Sequence, residues 1–208
     1  MEKNLYDRVV FFYDDLASLV LGKGHLESKR AFLDRITKGN NVLYIGGGTG
    51  TNLPEILEQV GEEGKVFFVE ASQKMIDKAK KGVPDSLRGR VLFLKEDDFM
   101  KMPNHQFEII ITQFLLDLLT ESDLEVLFDE VDKRCKRETK WIFTDFLDHP
   151  NRKILQYIMI WFFRLVTKNP RKDLPNYSKY FENYGWGIKS KMSFKKDWIQ
   201  AWFCERTN

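Results

Sequence analysis

The chain has 208 residues, of which 43% are hydrophobic and 31% charged, and its formal net charge is +2 at pH 7. This composition is typical of a globular domain and excludes collagen-like and disordered chains, while the near-neutral charge does not favour a nucleic-acid partner. The two cysteines and three histidines are scattered, so the sequence predicts no metal site. No export signal and no bilayer-length apolar run is found, and we therefore expect a cytoplasmic protein.

The pattern of the chain changes near residue 40. Residues 5–38 are typical of two helices broken at Gly22-Lys23-Gly24, and from Asn41 onward short β-rich runs alternate with glycine turns and amphipathic segments. The runs lack polar alternation, as expected of strands that are buried on both faces of a parallel sheet. The predicted strands of this region are Val42–Ile45, Val66–Glu70, Val91–Leu94, Phe107–Thr112 and Trp141–Phe146.

Helix-start signals lie between these strands. Asn52 comes before Pro54 and Glu55, an arrangement that predicts a helix N-cap with a capping box. Ser72 is predicted to cap the next helix, and Ser122 is predicted to begin a third. Because β and α units alternate, the sequence predicts right-handed crossovers and a doubly wound sheet.

The C-terminal part departs from this alternation. Residues 151–168 and 176–184 predict helices, and Gly187–Phe194 and Trp198–Glu205 predict an antiparallel hairpin. We therefore predict an α/β fold, a Rossmann-like doubly wound seven-stranded sheet with a terminal antiparallel hairpin, N-terminal helices and a helical lid insertion. The expected organisation is a single domain over residues 1–208, with an N-terminal helical cap (1–38), a cofactor-binding core (41–146), the helical lid insertion (151–184) and the terminal hairpin (187–205).

A glycine turn is the most informative local motif. The strand Val42–Ile45 runs into glycines at positions 46, 47, 48 and 50. Glycine permits a tight turn and a close backbone approach, and the amides at the start of the following helix can bind a pyrophosphate or a carboxylate. A dinucleotide fingerprint needs glycine at its first, third and sixth positions, but the sixth position counted from Gly46 is Thr51. The spacing therefore disfavours a dinucleotide.

Two carboxylates follow neighbouring strands of the predicted sheet. Glu70 ends the second strand, where it can accept both hydroxyls of a ribose, and Asp97 follows the third, where it can hold an adenine amino group. The carboxyl ends of parallel strands meet at one edge, so these groups should converge on one ligand. The candidate cofactor-binding residues are Tyr13, Gly46, Gly47, Gly48, Gly50, Thr51, Asn52, Glu70, Ala71, Ser72, Met75, Asp97, Asp98, Phe99, Gln113 and Phe114.

The region from Asn41 to Phe146 resembles the class I S-adenosylmethionine-dependent methyltransferases, whose glycine pattern Gly46-x-Gly48-x-Gly50 matches. More narrowly, Val69–Met75, Phe146–Pro150 and Tyr177–Glu182 resemble the ubiquinone/menaquinone-biosynthesis C-methyltransferases and their small-molecule relatives. The resemblance implies S-adenosylmethionine as cofactor and methyl transfer to a small, hydrophobic or aromatic acceptor.

Tyr44 departs from the pattern of that family, which usually has an acidic residue just before the glycines to orient the methionine amino group. A glycine run without this acid also resembles aminopropyltransferases, but Thr49 and Gln113–Leu116 stand where those enzymes have acidic residues. A catalytically silent cofactor-binding protein and a peripheral membrane-binding module are further alternatives. Neither of these two explains why the glycine motif, Glu70 and Asp97 occur together.

Asp117, after the fourth strand, and His149, after the fifth, are the candidate catalytic residues, each either a general base or a local hydrogen-bonding group. The apolar segment 154–166 could roof a hydrophobic acceptor pocket, with Trp161 and Phe162 facing the acceptor. The expected partner is a small-molecule acceptor and no nucleic acid. A peripheral membrane contact through the basic C-terminal part and a homodimer both remain open.

Overall fold

A computed structural model of the chain describes residues 23–153 and 173–207. Seven strands of one sheet lie in this part, in the spatial order β3-β2-β1-β4-β5-β7-β6. The helix predicted near the N-terminus before Gly22, the apolar segment 154–166 and Tyr13 lie outside the described residues. The strands are β1 (Asn41–Ile45), β2 (Lys65–Glu70), β3 (Val91–Lys95), β4 (Phe107–Gln113), β5 (Cys135–Phe146), β6 (Trp186–Phe194) and β7 (Ile199–Arg206).

The sheet confirms the predicted topology. β1 pairs in parallel with both β2 and β4, β3 pairs in parallel with β2, and β5 pairs in parallel with β4. β7 runs antiparallel to β5 and to β6, which makes the terminal hairpin. β2 and β3 lie on one side of β1, whereas β4 and β5 lie on the other. The strand order therefore reverses between β1 and β4, and a crevice at the strand carboxyl ends is expected at such a point.

Helices cover both faces of the sheet because strand side chains alternate between them. Val42 and Tyr44 of β1 pack in one apolar core, while Leu43 and Ile45 pack in the other. The helices are α1 (Lys23–Arg30), α2 (Leu53–Val60), α3 (Gln73–Gly82), α4 (Glu121–Asp132) and α5 (Tyr177–Asn183). The first core also includes the buried side of α2, and the second includes that of α4 and α5.

Two predicted helix starts differ from the structure. Asn52 is the N-cap residue of α2, but its side chain makes no capping hydrogen bond, because its amide is engaged by other buried polar groups. α4 begins one residue before Ser122, and its capping box is made by Thr120 and Asp123. The prediction for Ser72 is confirmed, since its hydroxyl accepts the Met75 amide at the start of α3.

Two element boundaries also differ. The helix predicted after Gly22-Lys23-Gly24 is present as α1, but it includes Lys23 and Gly24 and ends at Arg30. β5 begins at Cys135, six residues before its predicted start at Trp141, and its register with β4 shifts between Phe107 and Ile109. The added residues include three exposed charged side chains, Lys136, Arg137 and Glu138, so an apolar pattern could not indicate them.

Candidate functional site

A cavity of about 380 Å³ opens at the carboxyl ends of β1 to β4. This volume lies within the range of small-molecule sites, which is about 300–1,000 Å³. The lining combines main chain from the glycine turn, five carboxylates and an apolar wall. It consists of Ile45, Gly46, Gly48, Val69, Glu70, Ala71, Met75, Glu96, Asp97, Asp98, Phe99, Met100, Phe114, Leu115, Leu118, Leu119, Asp123 and Val126.

The turn after β1 requires glycine for two different reasons. Gly46, Gly48 and Gly50 have φ values of +64°, +60° and +67°, in the left-handed region that glycine adopts without strain. A Cβ on Gly47 would instead lie 2.2 Å from Cε2 of Phe68, whose ring is fully buried. The turn therefore depends both on glycine's conformational freedom and on close packing against the core.

Glu70 is the most buried carboxylate of the cavity, with only 7% of its surface exposed. Its Oε2 accepts the Gly48 amide at 3.0 Å, and its Oε1 accepts the Ser72 amide at 2.9 Å. Burial raises the pKa of the Glu70 carboxyl, and the main-chain hydrogen bonds and the charge of Lys29 oppose that rise. Glu70 thus ties the glycine turn of β1 to the end of β2.

The loop after β3 forms the opposite end of the cavity. Glu96 Oε1 accepts the amides of Asp97 and Asp98, each at 3.1 Å. Asp98 in turn accepts the Met100 amide at 3.0 Å and pairs with Lys101 at 3.4 Å. The Asp97 side chain is exposed at the cavity wall. Both aspartates predicted to bind cofactor line the cavity, and Asp98 in addition caps the following turn.

Nine of the predicted cofactor-binding residues line this cavity. Gly47, Gly50, Thr51, Asn52, Ser72 and Gln113 do not, and Tyr13 lies outside the described residues. The prediction missed several lining residues directly after β3 and β4, where the positions following a strand end are the available signal. The main ones are Glu96, Met100, Leu115, Leu118 and Leu119.

Tyr44, which replaces the usual acid, belongs to a buried polar network beneath the glycine turn. Its hydroxyl lies 2.9 Å from both Asn52 Oδ1 and Gln113 Oε1. The amide nitrogens of Asn52 and Gln113 donate to the Lys29 carbonyl oxygen at 3.0 and 2.8 Å. Burial raises the pKa of the Tyr44 hydroxyl, so the group is neutral. Asn52 and Gln113 therefore anchor α1 with their side chains.

The two catalytic candidates lie near the ends of β4 and β5. The Asp117 amide donates to Asp145 Oδ2 at 3.3 Å, and burial, followed by the charge of Asp117, raises the pKa of Asp145 well above the ordinary range. His149 Nδ1 accepts the Asn151 amide at 3.2 Å and so caps a short 3₁₀ turn. Neither candidate lines the described cavity.

In the described part of the chain, no group of three or more His, Cys, Asp or Glu could hold a metal ion. Among the same residues, no helix is long and apolar enough to cross a membrane.

The sheet order, the glycine turn and the carboxylate after β2 are similar to those of the class I S-adenosylmethionine-dependent methyltransferases. Residues 42–138 match a family model described as a methyltransferase domain. The predicted resemblance is thereby confirmed over these residues, and S-adenosylmethionine is the cofactor of that class.

Two proteins of similar sequence are both named as methyltransferases. The chain is 29% identical over 124 residues to a demethylmenaquinone methyltransferase of Lactobacillus johnsonii, covering 58% of this chain and 51% of the relative. It is 31% identical over 81 residues to a protein-L-isoaspartate O-methyltransferase of Methanococcoides burtonii, covering 39% and 40%. The chain thus spans about half or less of the length of these relatives.

A solved structure of an S-adenosylmethionine-dependent methyltransferase from Aquifex aeolicus is similar over nearly its whole length. It superimposes with a TM-score of 0.66 at 19% identity, covering 95% of this chain and 97% of the other. At this identity the likeness shows the fold alone.

Proposed function

We propose that this protein transfers a methyl group from S-adenosylmethionine to a small, hydrophobic or aromatic acceptor. The observation that carries the proposal is the single cavity in which the glycine turn, Glu70 and Asp97 follow one another across the ends of β1, β2 and β3. An adenosyl group needs a diol-binding carboxylate and an adenine-binding edge in that order. The family match and the names of the relatives support the same reaction class.

The proposed orientation of the cofactor follows from the order of the strands. Asp97, after β3, would accept the adenine amino group, and Glu70, after β2, would accept the ribose hydroxyls. The Glu70 carboxylate accepts the Gly48 and Ser72 amides and also interacts with the Ala71 amide, and a carboxylate has about four acceptor sites, so it keeps capacity for the ribose. The methionine moiety would then extend past Gly46 toward the end of β4.

When bound, the cofactor supplies an electrophilic methyl group on a positively charged sulfur. Because the leaving sulfur departs neutral, the contribution of the protein is to position the two reactants and exclude water. Leu115, Leu118 and Leu119 form an apolar wall of the cavity on the β4 side. These side chains would exclude water from the transferring group.

The acceptor is proposed to lie beyond Phe114, toward the ends of β4 and β5. Phe114 packs on Phe146 with a centroid separation of 5.0 Å and on the ring of His25 at 4.5 Å, and Phe146 packs on Trp198 at 4.9 Å. Among the residues the structure describes, the buried His25 Nε2 has no hydrogen-bond partner. Burial and the nearby charge of Lys29 lower the pKa of His25 to about 3. A neutral imidazole among aromatic rings favours a flat acceptor with one polar group.

A base is needed only if the acceptor must lose a proton. Asp145 is fully buried and its pKa is raised, so the proton of the Asp117–Asp145 pair is expected on Asp145 and the charge on Asp117. Asp117 therefore stays the first candidate for the base. His149 stays the second, but a neutral ring whose Nδ1 accepts a main-chain amide carries its proton on Nε2, so His149 can act as a base only after Nδ1 releases that amide.

The proposal is tested by incubating the protein with S-adenosylmethionine labelled in its methyl group and with a panel of phenols, hydroquinones, amines and an isoaspartyl peptide. Transfer to a phenol or hydroquinone, abolished by Glu70→Ala, is the expected result. Transfer to the isoaspartyl peptide alone would show that the acceptor is a peptide and not a small hydrophobic or aromatic molecule. Cofactor binding without any transfer would favour a catalytically silent protein. Preferential binding of NAD would contradict the proposal altogether.

The peripheral membrane contact and the homodimer stay predictions. Sedimentation with anionic liposomes in the absence of cofactor tests the first, and analytical ultracentrifugation tests the second.

A further inference from the structure

α1 buries a polar face. His25, Ser28 and Lys29 are buried on this helix, whereas Leu26 is 48% exposed. An amphipathic helix normally buries its apolar residues, and lysine is almost never fully buried unless it is paired. The orientation of α1 is therefore not explained by apolar packing. It places the side chains of Lys29 and His25 toward the carboxyl ends of the strands.

The last turn of α1 is held in this orientation by hydrogen bonds. The Lys29 carbonyl oxygen accepts the side-chain amides of Asn52 and Gln113, and the Ser28 carbonyl accepts the Thr144 hydroxyl at 3.4 Å. These bonds satisfy carbonyls that a helix C-terminus leaves without helical partners. The Tyr44 hydroxyl lies within hydrogen-bonding distance of the side-chain oxygens of both Asn52 and Gln113. The residue that replaces the usual acid thus helps to place Lys29.

Lys29 does not itself line the cavity, but its ammonium group lies next to a ring that does. Its Nζ is 5.9 Å from the centroid of the Phe114 ring, which lines the cavity. Its charge lowers the pKa of the Glu70 carboxyl and the pKa of His25, so it lies within electrostatic range of both groups. Only 6% of the residue is exposed, and in this environment a charge acts more strongly than at the surface.

We propose that Lys29 binds the α-carboxylate of the methionine moiety of S-adenosylmethionine, an assignment that rests on the proposed function. With adenine at Asp97 and ribose at Glu70, the strand order leaves the methionine end at β1 and β4, where the Lys29 ammonium lies. A carboxylate there would form a charge-assisted hydrogen bond with Nζ.

This assignment gives a role to the replacement of the acid by Tyr44. An acid at position 44 would attract the cofactor amino group, whereas a neutral Tyr44 beside Lys29 selects for the carboxylate. A decarboxylated cofactor, which carries only a positive amine at that end, would be repelled by Lys29. The site is therefore expected to disfavour aminopropyl transfer.

Calorimetry with two ligands tests the proposal. S-adenosylhomocysteine has the amino-acid end, and 5′-methylthioadenosine keeps adenine, ribose and sulfur but lacks that end. We expect Lys29→Met to weaken S-adenosylhomocysteine binding about tenfold or more, equivalent to about 1.4 kcal/mol, and to change 5′-methylthioadenosine binding less than about twofold. Lys29→Arg should restore most of the lost affinity. Arg30→Met is the matched control, since Arg30 is an exposed cation on the same helix that pairs with Glu55.

Equal loss for both ligands would show that Lys29 only supports the fold of the site, and unchanged binding of S-adenosylhomocysteine would remove the carboxylate contact; either result overturns the proposal. If Lys29→Met does not fold, as judged by circular dichroism, Lys29→Gln is measured by the same criteria. Failure of the unmodified protein to bind either ligand would contradict the proposed function itself and is thus distinguishable.

Discussion

Replacing Glu70 with glutamine changes the charge of the cavity while keeping the size of the side chain. In the structure the carboxylate accepts the Gly48 and Ser72 amides at 3.0 and 2.9 Å and also interacts with the Ala71 amide, and it keeps capacity for the ribose. Glutamine keeps one acceptor oxygen and places an NH₂ group where the other was, so one cofactor bond and the negative charge are lost. A hydrogen bond to a charged group contributes about 1.5–3 kcal/mol, and the dissociation constant should rise about tenfold to 150-fold.

Isothermal titration calorimetry with S-adenosylhomocysteine measures this change. Because burial raises the pKa of the Glu70 carboxyl, affinity for the ligand should fall on acidification earlier than for an exposed carboxylate, as the protonated form loses an acceptor. This acid-side fall should be absent in Glu70→Gln. Glu62→Gln, at an exposed position away from the cavity, should leave both the affinity and its pH profile unchanged. A dissociation constant for Glu70→Gln equal to that of the unmodified protein would refute the assignment.

Three further predictions concern stability, each measured by urea unfolding. Gly47→Ala places a Cβ 2.2 Å from the fully buried Phe68 ring and should cost about 1–3 kcal/mol through overpacking. Arg134→Met removes three hydrogen bonds to main-chain carbonyls and the ion pair with the buried Glu130 carboxylate, 2.6 Å away. It should cost about 3–5 kcal/mol. Asp145 has a raised pKa, so the folded state binds the extra proton and stability should fall as pH rises from about 4 through that pKa. Asp117→Asn removes the like charge and should make this fall smaller.

Matched substitutions separate these effects from general damage. Gly89→Ala adds a Cβ that meets nothing within 4 Å, so it should cost far less than Gly47→Ala. Lys133→Met removes an exposed ion pair with the same carboxylate that Arg134 contacts, and it should cost less than about 1 kcal/mol. Equal costs within either pair would contradict the packing and burial arguments, and a pH profile unchanged by Asp117→Asn would contradict the coupling to Asp145.

The strand order could be predicted because each buried strand is an apolar run followed by a turn signal. Boundaries were less predictable where polar residues extend an element. The first residues of β5, from Cys135 to Lys140, include exposed charged side chains, and they join the sheet through Cys135 and Lys140, which pair with β4, and through Lys140, which also pairs with β7. At α4, Thr120 and Ser122 are both good capping residues, and the sequence does not distinguish them. The structure selects Thr120 because Asp123 completes its capping box.

Part of the cavity lining was predictable because its residues have fixed spacing from strand ends, while their contact with a cofactor stays a prediction. Glu70, Asp97 and the glycines at 46 and 48 all line the cavity as expected. Lys29 was not predictable, because its position depends on a hydrogen bond to Gln113, 84 residues away in the sequence. Helical periodicity alone would place a lysine in solvent. Sequence likewise could not show that Asn52 anchors α1 instead of capping α2.

A crystal structure of the complex with S-adenosylhomocysteine tests the central claim most directly. The account predicts that the ligand occupies the cavity at the carboxyl ends of β1 to β4, with both ribose hydroxyls within hydrogen-bonding distance of Glu70 and the adenine amino group beside Asp97. The amino-acid end would extend toward Phe114. A ligand bound elsewhere, or bound in this cavity with its ribose away from Glu70, would contradict the account.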